Sequence, residues 1–230
     1  MANRKLKIGF ISKEDPTDIM TFSGIHFHMF TALKNHIGEV VPLGPVRARS
    51  EILFKIIAKV MTILTGKLHR YQYSILLAKF YSRIFDKKIK AQNFDLLFAN
   101  ISFPEIAHLK TEVPIIATSD ANFKLLNEYY GGHSNLARAT IKKAMYLDNK
   151  AFHKAAALVY PSDWVSQSAM NDYQVAHQKV FTIPYGPNIP GIPAQNEFDT
   201  LLEERLKDNI CRLLFVGRDW QRKGGDIAIK

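Results

Sequence analysis

Arg218 and Lys223 stand five residues apart in Val216-Gly217-Arg218-Asp219-Trp220-Gln221-Arg222-Lys223-Gly224-Gly225, where an apolar run ends in a glycine and a new helix begins. Two fixed cations at the carboxyl end of a strand, beside the positive end of a helix dipole, suit a diphosphate. Neither a P-loop nor G-x-G-x-x-G is present, so spacing alone leaves a surface turn with solvated charges as the other reading. His26 and His28 form a second pair, but a two-residue spacing on a helix points them to different faces, which argues against a shared metal. The single cysteine, Cys211, excludes an internal disulfide and an all-cysteine metal site, and fits a reducing cytoplasm.

The elements that must carry these residues alternate. Lys5–Ile11, Glu39–Leu43, Phe94–Ala99, Pro114–Thr118, Ala157–Tyr160 and Val180–Pro184 read as strands, and Arg212–Val216 as a seventh. Helical patterns lie between them: from Ser23, which suits an N-cap, to Gly38; two between Leu53 and Lys90; one from about Asn122; a long one over about 134–155; and Asp163–Tyr173. The expected fold is therefore α/β, a Rossmann-like parallel sheet flanked by helices. Three prolines and two glycines in Tyr185–Pro193 read as a domain linker, followed by a charged helix, Glu197–Lys207. We expect residues 1–186 to form the first domain, 187–210 a linker and helix, and 211–230 the start of a truncated second domain.

Apolar residues make up 47% and charged residues 23% of the 230, a balance that excludes a disordered or collagenous chain. The basic start is followed by only a short apolar stretch, Ile8–Ile11, too short for a signal-peptide core. No uncharged stretch is long enough to span a bilayer. The net charge of +10 is concentrated: between Arg47 and Lys90, eleven Lys/Arg less two carboxylates (Glu51 and Asp86) give +9 of it. In this segment Leu53, Ile56, Ile57, Val60 and Leu64 share one helical face opposite Lys55, Lys59 and Thr62. After Gly66, Tyr73, Leu76, Leu77, Phe80 and Ile84 lie opposite Lys79, Arg83, Lys87 and Lys90. Lys55, Lys59, Lys79, Arg83 and Lys87 could meet an anionic membrane surface, or simply be the solvated side of core-packed helices. Nucleic acid is not the expected partner, because the nearby aromatics Tyr73 and Phe80 fall on the apolar face.

Three stretches together resemble the retaining family 4 glycosyltransferases, which have the GT-B fold. Leu213–Gly225 (LLFVGRDWQRKGG) is similar to the start of their nucleotide-sugar domain, Asp148–Ser162 to the helix-and-strand block that closes their N-terminal domain, and Lys179–Asn188 to their interdomain linker. Before Asp148 only the order of elements agrees.

The resemblance implies an N-terminal, acceptor-binding half and a donor domain, with a cleft between them in which a sugar passes from a nucleoside diphosphate to a glycan or lipid-linked acceptor with retention. No metal or other cofactor is required in such an enzyme. Arg218 and Lys223 match the pair that holds the donor diphosphate, and Gly24 the glycine that lets backbone approach it. Asp120 stands where many members have a histidine touching the transferred sugar. A carboxylate there can accept a hydroxyl's hydrogen bond, cannot donate as imidazole does, and could also cap the following helix. Ser23, His26 and His133 fall near the acceptor or sugar, although each histidine also reads as an ordinary helix or loop residue. The family's paired donor-domain glutamates have no counterpart here, so the chain by itself is expected not to turn over donor. The enzyme would be cytoplasmic, either free or peripheral on the inner face of the membrane. The alternative is a non-enzymatic Rossmann-like module that docks through the basic helices of 49–90.

Overall fold

The computed structural model describes all residues except 1–4, 130, 189–190, 192, 208–209, 218 and 230. The chain forms two compact units, residues 1–188 and 189–230.

The first unit is a Rossmann-like sheet of six parallel strands. In chain order they are β1 (Leu6–Ile11), β2 (Gly38–Pro42), β3 (Leu96–Asn100), β4 (Ile115–Thr118), β5 (Ala157–Tyr160) and β6 (Val180–Thr182). Across the sheet the order is β2-β1-β3-β4-β5-β6, and every pairing is parallel. Parallel strands cannot be joined by hairpins, so each connection crosses over and leaves helical chain on the sheet faces. That is why β1 is apolar on both sides. Ile8 and Phe10 pack with Phe30 of α1 (Ile25–His36), while Ile11 faces the larger core on the other side. In that core, Leu97, Ala99, Ile115, Ala117, Leu158 and Tyr160 meet α3 (Ile75–Lys90), α4 (Phe103–Ile106), α6 (Arg138–Lys154) and α7 (Asp163–Tyr173).

Two helices turn differently from expectation. The buried face of α3 is Leu77, Ala78, Tyr81, Ser82, Phe85 and Ile89, rotated from the expected stripe, and Leu76 is exposed. Partners for polar groups explain the rotation. Ser82 Oγ donates to the Glu105 carbonyl at 2.7 Å, and the Tyr81 hydroxyl donates to Glu51, so both can be buried without an orphaned hydroxyl. The other is α2 (Glu51–Thr65), which is not a core-packed helix. Phe54, Ala58 and Thr62 face the protein, whereas Ile52, Leu53, Ile56, Ile57, Val60, Met61, Ile63 and Leu64 are all exposed.

The helix expected from Asn122 is a single turn, α5 (Phe123–Leu126), and α6 begins later than expected. Left-handed backbone at Glu128 (φ 65°) and Asn135 (φ 56°) breaks the chain between them, and Leu136 bridges to Leu68 instead of continuing a helix.

The second unit holds α8 (Gln195–Leu206) and a final turn, α9 (Gly225–Ala228). Arg212–Val216 is not a strand: among the described residues it joins no sheet, and Leu213, Leu214 and Val216 are 83%, 88% and 82% exposed. A strand without a neighbour has nowhere to place its backbone hydrogen bonds. Local order comes from Phe215 against Trp220, with ring centroids 4.8 Å apart, and from Gly225, where a β-carbon would run into the Trp220 indole.

Phe152 ties the main core together, meeting Phe103, Tyr173 and Tyr160 edge-on at 4.7, 4.8 and 6.3 Å. Phe152→Ala is expected to cost about 3–5 kcal/mol of stability in urea denaturation; a loss below about 1 kcal/mol would contradict this packing.

Candidate functional site

From β1 the chain moves to β2 on one side, and the next strand, β3, lies on the other. The carboxyl ends of β1 and β3 therefore flank the point where an open parallel sheet leaves a crevice. Polar side chains gather there. Ser12 follows β1, Asn100 ends β3 and Thr118 ends β4, and all three are buried. His26, 1% exposed, enters from the first turn of α1 with Nδ1 3.2 Å from Ser12 Oγ. Its ring packs against Phe22 (centroids 4.6 Å apart) and Phe10 (6.2 Å). Burial pulls its pKa down to about 4, so the imidazole is neutral at pH 7. Both amide atoms of Asn100 are buried with no hydrogen-bond partner in the protein, while the His26 ring lies beside the Asn100 backbone and Thr118 beside the Tyr185 hydroxyl without well-directed bonds. Buried polar atoms are nearly always satisfied, so the Asn100 amide, with the weakly bonded His26 and Thr118 beside it, marks a place for a polar ligand or ordered water.

The loop over this crevice is strained. Phe22 (φ 48°), Ser23 (φ 55°) and Gly24 (φ 83°) are consecutive left-handed residues, which costs about 1 kcal/mol or more at each of the first two. Only glycine suits position 24, where a β-carbon would sit 3.3 Å from the His28 ring and 3.4 Å from the Ile19 carbonyl. Ser23 is exposed and does not cap α1. Gly24 occupies the N-cap, and Ser23's left-handed backbone is not the extended one from which a side chain reaches the first free N–H groups.

Beyond Phe22 a cavity of about 390 Å³ opens, walled by Tyr71, Tyr73, Tyr81, Phe103 and Phe123. Its polar lining includes Lys13, Arg70, Glu105, His133 and Asp148. Glu105 is buried, and desolvation pushes its pKa up to about 7. Asp148 is pushed up to about 7 by the same cause, but it accepts from Phe123 N (2.7 Å) and the Tyr173 hydroxyl (3.2 Å), so it holds α5 in place. His133 Nε2 lies 3.2 Å from the Tyr73 hydroxyl, and Arg70 Nε donates to the Gly132 carbonyl at 3.1 Å, fixing the loop that carries His133. Burial, helped by Arg70, holds His133 below the usual histidine range. At the start of α2, burial opposes ionisation of Glu51. Hydrogen bonds from Lys55 and Tyr81 and the charge of Lys13 overcome it and pull its pKa to about 2.

The structure brings Ser23, Gly24 and His26 to the crevice and His133 to the adjoining cavity. Asp120 is exposed just past β4, bonded by Ser119 Oγ at 3.4 Å. It does not cap the next helix: Asn122 does, accepting from Leu125 N at 3.1 Å, because Asn122 is the residue directly before the turn. His28 points elsewhere, into a recess of about 300 Å³ beside Tyr185 and Asn188. Lys223 is exposed in the second unit, its N–H bonded to the Asp219 carbonyl at 3.0 Å, and no strand leads into its turn. Arg218 lies outside the described residues. No group of three or more His, Cys, Asp or Glu is placed to hold a metal among the described residues.

The sequence does not single out Ser12, Asn100, Thr118 or Glu105, and marks Tyr73 only as an apolar-face residue. The signal for two of them was the polar residue closing an apolar strand, as in Phe98-Ala99-Asn100 and Ile116-Ala117-Thr118. No family model matches the chain, and no curated protein matches it.

Glu105 has its folded pKa above the usual carboxyl value of 4.5, so the stability linked to its protonation is fully present below about pH 4.5 and is lost as pH rises through about 7. Glu105→Gln should leave stability near pH 4 almost unchanged and raise it by roughly 3 kcal/mol near pH 8. Equal effects at both pH values, measured by denaturant titration, would contradict a protonated, buried Glu105.

Proposed function

We propose that the chain is the acceptor-binding part of a retaining glycosyltransferase that uses a nucleoside-diphosphate sugar. The observation that carries this reading is the unpartnered, buried amide of Asn100, with weakly bonded His26 and Thr118 at the same carboxyl edge of the sheet, beside an aromatic-walled cavity. Hydroxyl-rich ligands suit such a place. Aromatic rings pack against the C–H faces of a sugar, while amide, hydroxyl and carboxyl groups bond its hydroxyls. The left-handed loop at Phe22–Gly24 offers backbone at the same edge, and the resemblance of 148–225 to family 4 enzymes supplies the chemistry.

In this reading the acceptor hydroxyl forms a bond to the sugar's anomeric carbon as the bond to the diphosphate breaks. The leaving phosphate takes the hydroxyl proton, and Arg218 and Lys223 offset its charge. Asp120, at the rim, accepts from a sugar hydroxyl. Neutral His26 and Asn100 donate to acceptor hydroxyls, and His133 and Glu105 line the acceptor's path. No protein group has to act as base.

The test is calorimetry on the whole chain with a panel of oligosaccharides, glycolipid headgroups and UDP-, GDP- and ADP-sugars. At least one saccharide or sugar nucleotide should bind, and Asn100→Ala should weaken it about ten-fold, the loss of one or two hydrogen bonds. Absence of binding across the panel, or binding that Asn100→Ala leaves untouched, would contradict the proposal.

A further inference from the structure

Helix α2 is held to the protein by its polar residues and presents its apolar ones to solvent. At its N-terminal end, Glu51 is buried beneath the Tyr81 hydroxyl and paired with Lys13 (3.5 Å) and Lys55 (2.8 Å). Toward its C-terminal end, Thr62 Oγ1 accepts from His69 N at 2.9 Å. Past the C-cap Gly66 (φ 63°), Asn135 donates to the Gly66 carbonyl at 3.1 Å and accepts from Lys67 Nζ at 2.7 Å. Phe54 is the main apolar contact inward, approaching Phe80 at 6.5 Å.

At about 100° per residue, Glu51, Phe54, Ala58 and Thr62 cluster on one side, and the arc opposite them is Ile52, Leu53, Ile56, Ile57, Val60, Ile63 and Leu64. Ile63 and Leu64 are 73% and 75% exposed. An apolar ridge this continuous on the side pointing away from the protein is a binding surface, since single exposed hydrophobes are common and a contiguous row of them is not.

The charges around the ridge choose the partner. Lys55 and Lys59 flank it on the helix itself. Beside its N-terminal end, Arg47, Arg49, Arg83 and Lys87 converge on a recess of about 310 Å³ that has Phe80 and Ile84 in its lining. Both acidic residues of the segment are occupied: Glu51 as above, and Asp86, which accepts Lys110 N at 2.9 Å. A second copy docking by the same face would bring two +9 segments together. An anionic surface is attracted to this charge, and a convex apolar helix fits the boundary between lipid headgroups and acyl chains. With 15 residues, α2 is about 22 Å long, short of the roughly 30 Å hydrocarbon core, so it lies in the interface plane. No described helix is long and apolar enough to cross a membrane.

We infer that α2 is an interfacial anchor that seats the protein on an anionic bilayer, with its Ile52–Leu64 ridge among the acyl chains and Arg47, Arg49, Arg83 and Lys87 on lipid phosphates. This inference does not depend on the sugar-transfer reading. The experiment is co-sedimentation of the full chain with vesicles of equal parts phosphatidylglycerol and phosphatidylcholine, and with phosphatidylcholine alone. Binding should require the anionic lipid and weaken as salt is raised. Ile56→Glu/Ile63→Glu and, separately, Arg83→Glu/Lys87→Glu should each weaken it at least about ten-fold. Because all four side chains lie at the surface or beside a shallow recess, circular dichroism should show both variants folded. In Val60→Trp, the emission of the added indole should shift to the blue on anionic vesicles. Failure of the unsubstituted chain to bind, or a Val60→Trp emission that vesicles leave unchanged, would overturn the inference. So would a self-associated chain that the Ile56→Glu/Ile63→Glu pair returns to monomer, which would assign the ridge to a second copy.

Discussion

Six strands run the same way in the first unit, and their carboxyl ends open onto one edge of the sheet. Nothing in a parallel ladder satisfies the side chains just beyond those ends, while the strands themselves must be apolar on both faces to be covered by crossover helices. Topology therefore leaves Ser12, Asn100 and Thr118, and whatever loops overhang them, as the polar groups at that edge. His26, the left-handed loop at Phe22–Gly24 and the aromatic cavity all follow from that single placement. Even the buried Asp148 serves it, since its bonds to Phe123 N and Tyr173 hold the short α5 that walls the cavity.

The basic segment is arranged by a different balance. Burying seven or eight large apolar side chains of α2 would ordinarily dominate its docking, at about 1.5–3 kcal/mol for each fully buried residue. Instead Glu51 and Thr62 determine which side faces inward, and the apolar side is left outward. Tyr71, directly after Arg70, joins the two regions: it lines the cavity, and Lys55 of α2 lies over its ring at 5.2 Å. The exposed apolar helix and the aromatic cavity thus share Tyr71.

Periodicity made the sheet legible. Strands such as Ala157–Tyr160 and the helix Asp163–Tyr173 stand where apolar alternation and turn residues place them, because burial on both faces leaves little freedom in how those residues pack. The orientation of α2 and α3 was not legible. The spacing of apolar residues along a helix identifies a stripe but not what that stripe meets. The deciding groups were long-range polar partners, Glu51 with Tyr81 and Ser82 with Glu105. The failure of Arg212–Val216 to form a strand has a related cause, since β propensity without a neighbouring strand satisfies no backbone bonds. Of the site, His26 stood out by residue type and Gly24 through the family resemblance, whereas Asn100 and Thr118 looked like ordinary strand ends. Their importance lies in being buried without well-formed bonds, which only the fold reveals.

The most direct test of a ligand site at the sheet's carboxyl edge is a nuclear magnetic resonance titration. The reporters are the Asn100 side-chain amide, the His26 ring and the Ser23 and Gly24 backbone, followed as a binding saccharide or sugar nucleotide is added. The account predicts that these four respond together and saturate with one dissociation constant. Shifts confined to other parts of the chain, with Asn100 and His26 unmoved at saturation, would contradict it.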